Sequence, residues 1–208
     1  MLPNYELTQD GIIKQQNAKP FSYDVEYSES RYSHFDDRGN ILHLRLGFII
    51  GSIGKVPTSL MDVGYGNGDF LTTCKGFIQD LYGNDIPPAY PLPKGVSFVE
   101  NIVDQEAEVI TFFDSLEHFP DIEFVQDLKC KYIVVSLPWC TKGEDDRWFE
   151  TWKHRKPDEH LYHFTEKSLT AFMNRQGYTL VNYCNLEDKV RIDKSLQPNI
   201  LTACFKKN

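Results

Sequence analysis

Ten residues, Leu60 to Asp69 (LMDVGYGNGD), constrain this chain more than any other stretch. An apolar run ends in Asp62, glycines recur at 64, 66 and 68, and a stretch carrying Phe70 and Leu71 follows. Glycine permits dihedrals and close backbone approach that other side chains forbid. Three of them between a strand and a helix mark a sharp turn beside a bound ligand. In open α/β sheets that position, outside the carboxyl end of a strand, is where ligands bind. A dinucleotide fingerprint would read GxGxxG, with a pyrophosphate at the helix N-terminus. Here the spacing is GxGxG, and Asp69 follows where the helix begins. An acid there repels phosphate. With Asp62 just before the turn, the loop suits a ligand with a cationic amino-acid end.

The rest of the chain alternates in the same manner. Strands are predicted at 59–63, Asp80 to Asn84, Val96 to Val99, Glu108 to Phe113, Tyr132 to Leu137, Tyr178 to Tyr183 and Ile200 to Phe205. The fourth is nearly all apolar, as a strand buried on both faces should be; the last two read as a hairpin-like edge. Helices are predicted at 40–53, with Leu46, Phe48 and Ile49 turned inward, at 70–77, as a crossover over 119–128, and at 165–176. Thr165 caps the last of these and Gly177 ends it. The pattern predicts an α/β fold: a seven-stranded, mostly parallel sheet with helices on both faces, a three-layer sandwich. Residues 1–20 are polar and aperiodic and read as a loose arm. Residues 23–34 interleave aromatics with acids, as in a short helix or lid. Prolines in 86–95 interrupt any regular element. The expected organisation is an N-terminal arm with cap helices over 1–55 and a ligand-binding domain over 56–208. That domain carries an aromatic, charge-mixed insertion at 139–163.

Composition removes several classes. Thirty acids against 22 Lys and Arg give a net charge of -8, the wrong sign for a dedicated nucleic-acid binder. Five cysteines, at 74, 130, 140, 184 and 204, are scattered without a CxxC pair, which fits reduced thiols and a cytoplasmic location rather than a disulfide scaffold. The N-terminus lacks the pattern of a signal peptide, and no apolar run approaches the 18 residues of a membrane span.

Asp85, at the end of the second strand in YGNDIPP, stands where an acid takes the hydroxyls of a ribose, although a turn residue before Pro87 would look the same. After strand four comes Phe113-Asp114-Ser115-Leu116-Glu117-His118, and later His160-Leu161-Tyr162-His163-Phe164-Thr165, a helix and Gly177-Tyr178. With the motif Asp62-Val63-Gly64-x-Gly66-x-Gly68, these landmarks resemble, in order, the class I S-adenosylmethionine-dependent methyltransferases of small-molecule type. The likeness runs from about Leu60 to Tyr183. It implies a Rossmann-like fold, S-adenosylmethionine as cofactor, and methyl transfer as activity. Gly64, Tyr65, Gly66 and Gly68 would run beside the methionine part, Asp62 would assist its amino group, and Asp85 with Ile86 would hold the ribose side. Phe113 and Asp114 would border the methyl donor. Arg45 and Tyr32 come from elements that cap the cofactor; Arg45 would either meet its carboxylate or be an ordinary surface arginine. The chain departs from the family in its short, proline-rich segment after strand two. Its third strand also ends in Val99-Glu100-Asn101, which leaves the adenine contact open among Glu100, Asn101 and Asp104.

The acceptor side is less specific. A hydroxyl or acidic-carbon acceptor needs a base, for which histidine suits neutral pH. His118, with Asp114, His160 and His163, are the candidates for catalysis; each histidine has a competing reading as a local packing or capping residue. The insertion holds Trp139, Trp148 and Trp152 with Arg147, Lys153, His154, Arg155 and Lys156. It would either wall a pocket for an anionic or nucleotide-linked small molecule or form a contact in a homodimer. Cys140, His154 and His160 are unevenly spaced, and no metal is expected. Two other functions compete: a non-catalytic protein that binds a partner through the tryptophans, and a nucleotide-dependent oxidoreductase, which GxGxG and Asp69 disfavour.

Overall fold

The computed structural model describes residues 2–21, 38–86, 90–191 and 198–208. The expected lid at 23–34 and the capping Tyr32 lie outside these. Ten strands and four α-helices are assigned among them: β1 (Tyr5–Leu7), β2 (Ile13–Gln15), α1 (Arg38–Ile53), β3 (Ser59–Val63), α2 (Asp69–Cys74), β4 (Asp80–Asn84), β5 (Ser97–Phe98), β6 (Glu106–Phe113), β7 (Lys129–Pro138), α3 (Asp146–Thr151), β8 (Tyr162–His163), α4 (Glu166–Arg175), β9 (Tyr178–Cys184) and β10 (Ile200–Lys207).

Seven strands form the main sheet in the order β5-β4-β3-β6-β7-β10-β9. β3, β4, β5, β6 and β7 pair in parallel. β10 enters antiparallel between β7 and β9, so the hairpin-like edge is present. The chain leaves β3 for β4 on one side and returns to β6 on the other. That reversal opens a crevice at the carboxyl ends of β3 and β6, the position where open sheets take ligands.

Alternation along the strands builds two apolar faces. Met61, Val63, Ile110, Phe112, Ile133 and Val135 point to one, where Leu169, Phe172 and Met173 of α4 cover them with Ile122, Val125 and Leu128. Leu60, Val109, Phe113 and Val134 point to the other, under Leu46 and Ile49 of α1 and Phe70, Leu71 and Cys74 of α2. The Rossmann-like three-layer arrangement follows from this division. Thr165 caps α4 as expected, in a reciprocal box with Ser168, and Gly177 follows in a left-handed conformation.

Two expectations are corrected. The crossover over 119–128 is not an α-helix: Leu116–His118 and Glu123–Asp127 form short 3-10 turns. Pro120 has no amide to bond Leu116 O, so the Leu116–His118 turn cannot run on as one helix, and Ile122, Val125 and Leu128 still reach the core. The N-terminal arm is not loose. β1, β2 and β8 make a second, three-stranded antiparallel sheet, and Ile12 and Ile13 are buried. Ile13 forms a small core with Cys140 and Phe149, against which Leu2, Tyr5, Trp148 and Trp152 pack. Arg175 of α4 adds ion pairs to Asp10 and Glu123, each at 2.7 Å.

Candidate active site

The glycine turn lies at the sheet's reversal point. Gly64, Gly66 and Gly68 all have positive φ, 77°, 58° and 77°. A Cβ on Gly64 would stand 2.7 Å from the Cβ of Ser115, so this residue is needed both for its backbone angle and for the contact between the two loops. The Gly64 amide donates to Asn84 O at 2.7 Å, tying the turn to β4. Tyr65 is buried and its hydroxyl donates to Tyr90 O at 2.6 Å. Gly68 is the N-cap of α2, with Asp69 in the first turn.

Two carboxylates flank the turn. Asp62 is 3% exposed and accepts a 2.6 Å bond from the Thr111 hydroxyl. Burial pushes its carboxyl up to about 6, against the Thr111 bond and the attraction of Arg45. Asp85 accepts from the amides of Gly66 and Ile86, both at 2.8 Å. Burial raises its carboxyl too, and those two amides oppose the rise. Asp85 thus braces the loop. Ile86 and Phe98 remain open beside it, at 54% exposure each, an apolar rim at the ends of β4 and β5. Of the three residues open for adenine, Asn101 donates to Asp104 at 2.7 Å.

Arg45 is not a surface arginine. From α1 it reaches Asp114 at 2.9 Å and Glu187 at 2.7 Å, and its guanidinium lies 4.4 Å from the Phe113 ring centroid. Arg191 contacts the same Asp114 and Glu187 at 2.9 and 2.6 Å. Ser136 donates a further 2.6 Å bond to Glu187. Two guanidiniums and two carboxylates therefore balance at the ends of β6 and β7. Burial disfavours ionised Glu187, but the positive charges of Arg45 and Arg191 hold its carboxyl below the ordinary range. Asp114 has a φ of 53°, a conformation uncommon outside glycine that concentrates at functional turns. The sequence does not single out Glu187 or Arg191. Their spacing of four suggests a helical surface pair, and nothing local reveals that Glu187 is buried and both join the Arg45–Asp114 network.

The turn after β6 carries the next groups. The Ser115 hydroxyl donates to Val63 O at 2.7 Å, and the His118 amide to Ser115 O at 3.1 Å. The backbone of Leu161 donates to Glu117 O at 2.8 Å, drawing the segment before β8 onto this turn. His118 and His160 meet edge to face, 4.7 Å between ring centres. Glu117, buried, completes a group of three whose ligand atoms lie within 4.8 Å of one another. Burial, then the neighbouring His118, pushes His160 down to about 2. His163 lies instead among the rings of Tyr5, Phe149 and Trp152, 2% exposed; burial pushes it down to about 3. That is the setting of a packing histidine. The insertion spends its tryptophans similarly: Trp148 stacks on Trp152 at 5.2 Å, and Trp139 meets Tyr183 at 6.1 Å.

Residues 40–183, more than half of the chain, match a family model described as a methyltransferase domain. The chain belongs to that family, which sets aside the oxidoreductase alternative. Solved structures agree on the fold. The YcgJ protein of Bacillus subtilis superposes with a TM-score of 0.60 at 12% identity, over 80% of this chain and 99% of its own. The 1,6-didemethyltoxoflavin-N1-methyltransferase of Burkholderia thailandensis, solved with its substrate and S-adenosylhomocysteine, gives 0.58 at 13% identity over 99% of both chains. Magnesium protoporphyrin IX methyltransferase of Synechocystis, also with S-adenosylhomocysteine, gives 0.57 at 12% over 91% and 90%. None of the curated proteins matches the chain in sequence. Among the described residues no helix is long and apolar enough to cross a membrane.

Proposed function

We propose that this methyltransferase takes its methyl group from S-adenosylmethionine and delivers it to a small or medium-sized acceptor, anionic or nucleotide-linked. The observation that carries the donor reading is the pair of acids around the glycine turn. Asp62, buried beneath it, is an acid whose charge is costly until a cation arrives, and a ligand's ammonium group is such a cation. Gly64, Tyr65, Gly66 and Gly68 then line the methionine part, Asp85 takes the ribose hydroxyls, and Ile86 offers an apolar edge. Phe113 and Asp114 border the methyl, with Arg45 held behind them. Residues 1–55 act as the cap of a donor-binding unit spanning 56–208, a reading supported by the reach of Arg45 into the network. The two methyltransferase neighbours holding S-adenosylhomocysteine support the same donor.

Transfer from a sulfonium is an in-line displacement, so the chain's main task is to align the acceptor atom, methyl and sulfur and to exclude water. His118 and His160, beside the turn that carries Asp114, are the groups suited to serve the acceptor. Arg147 and Lys153 are exposed on the insertion, which supports an anionic acceptor. Calorimetry with S-adenosylmethionine and S-adenosylhomocysteine tests the donor. Micromolar binding is expected, and Gly66→Arg should abolish it by filling the turn. Failure of the parent to bind, or equal affinity in the variant, overturns the reading. A panel of anionic metabolites, followed by S-adenosylhomocysteine release, tests the acceptor class.

A further inference from the structure

We propose that Glu117, His118 and His160 bind a divalent transition-metal cation beside the donor turn, and that this cation holds and activates an acceptor hydroxyl. The activating role rests on the donor reading above; the site itself does not.

Two imidazole nitrogens and one carboxylate oxygen are a donor set that takes zinc and neighbouring first-row cations while leaving positions open. Atoms sharing one ion at about 2.1 Å stand roughly 3.0–3.4 Å apart in tetrahedral or octahedral geometry. The three donors here lie within 4.8 Å of one another, and His118 Nε2 is 3.8 Å from Glu117 Oε1. Shifts of about 1 Å in the donor atoms would bring them to coordination distance.

The surroundings orient the donors. His160 Nδ1 lies 2.9 Å from the carbonyl oxygen of His154. A carbonyl can only accept, so Nδ1 carries the proton and Nε2 keeps its lone pair. Metal-binding histidines are oriented by this kind of outer hydrogen bond. Glu159, buried, has Oε1 3.8 Å from His160 Nε2 and 2.9 Å from Lys156, a second carboxylate next to the set. Glu117 and His118 are adjacent in one turn, and the Leu161–Glu117 backbone bond fixes the other segment against it. Ser115 joins that turn to the donor loop through its bond to Val63 O and its contact with Gly64.

A hydroxyl bound to the cation loses its proton to water more readily than a free one. The resulting oxygen lone pair forms the O–CH3 bond as the S–CH3 bond breaks, and the sulfonium leaves as a neutral thioether. The acceptor class is thereby an oxygen nucleophile able to ligate a metal.

Chelator-treated protein titrated with Zn2+ by calorimetry, and with Co2+ by visible absorption, tests the site. One equivalent is expected, and both His118→Ala and His160→Ala should weaken Zn2+ about tenfold or more. Glu117→Gln should do the same. Because Glu117 is buried, His118→Ala is the variant to rely on if the glutamine form does not fold. Azide added to the Co2+ protein should shift the absorption if a position is open; an unchanged spectrum overturns the activating role. Absence of stoichiometric binding, or affinity unaffected by both histidine variants, overturns the site. S-adenosylhomocysteine calorimetry on the same preparations separates the two readings. Metal binding without nucleoside binding sinks the donor reading alone, and the converse sinks the metal site alone.

Discussion

Asp62 lies beneath the glycine turn at 3% exposure, with its carboxyl lifted from 3.8 to about 6. An acid so raised holds its proton more tightly folded than unfolded. Its contribution to stability is fully present below the unfolded value near 3.8, falls as pH rises toward about 6, and is constant beyond. At 1.36 kcal/mol per pH unit, ionised Asp62 costs the folded state about 3 kcal/mol at pH 7.5 and about 1 kcal/mol at pH 4.5. Asp62→Asn removes that cost. Its side-chain oxygen can still accept from Thr111, but the new amide nitrogen needs a partner, which costs about 1 kcal/mol. The net gain expected at pH 7.5 is about 2 kcal/mol, roughly 4–8 °C in Tm for a chain of this size, and it should vanish near pH 4.5. The same variant should lose donor affinity, since the buried charge is what attracts the ammonium. Thermal melts followed by far-ultraviolet circular dichroism at both pH values, with calorimetry at pH 7.5, measure all three quantities. A variant less stable than the parent at pH 7.5, or a gain independent of pH, refutes the reasoning.

Glu187→Ala leaves the guanidiniums of Arg45 and Arg191 sharing Asp114 alone, and breaking one partner out of a largely buried ionic network costs about 3 kcal/mol; urea unfolding should show that loss at pH 7. Because the Glu187 carboxyl is held below its ordinary value, the stability it supplies is present above the unfolded carboxylate range and is lost as pH falls through the folded one. The parent and variant should therefore converge under acid. Gly64→Ala meets a φ of 77° and a 2.7 Å contact, costing about 1–2 kcal/mol for the left-handed backbone and about 1–3 kcal/mol for the overlap. Measured against Ser115→Gly alone, which already loses the Ser115–Val63 hydrogen bond, the double variant should show the first part and not the second, read by the same urea titration.

The glycine turn and strand β4 were legible because both are local: a short apolar run closed by glycine or an acid states its own ends. Strand β6 was recognised but begins at Glu106 rather than 108, since a polar first turn of a strand carries no apolar signal. The 119–128 segment reads as a helix because Ile122, Val125 and Leu128 repeat at helical spacing, yet the short 3-10 turns present the same residues to the core. β1 and β2 carry little signal because each has three residues, and the partner that completes their sheet, β8, lies far along the chain. The site divides along the same line. Asp62, Asp85 and the glycines are neighbours of the turn, whereas Glu187, Arg191 and the meeting of His118 with His160 depend on segments brought together by the completed sheet.

The pairing of Ile13 with His163 and Lys14 with Tyr162 has a consequence for how the chain folds. Those residues are separated by about 150 positions, and closing so long a loop is entropically slow relative to local pairing. The docking of β2 on β8 is therefore expected late, after the main sheet has brought Leu161 onto Glu117. Until then Ile13, Phe149, Trp148 and Trp152 would lack their shared cover, and the partly folded chain would expose apolar surface. Refolding yield should accordingly depend on protein concentration, even though the finished molecule buries Ile13 and Phe149 and half-buries the tryptophans.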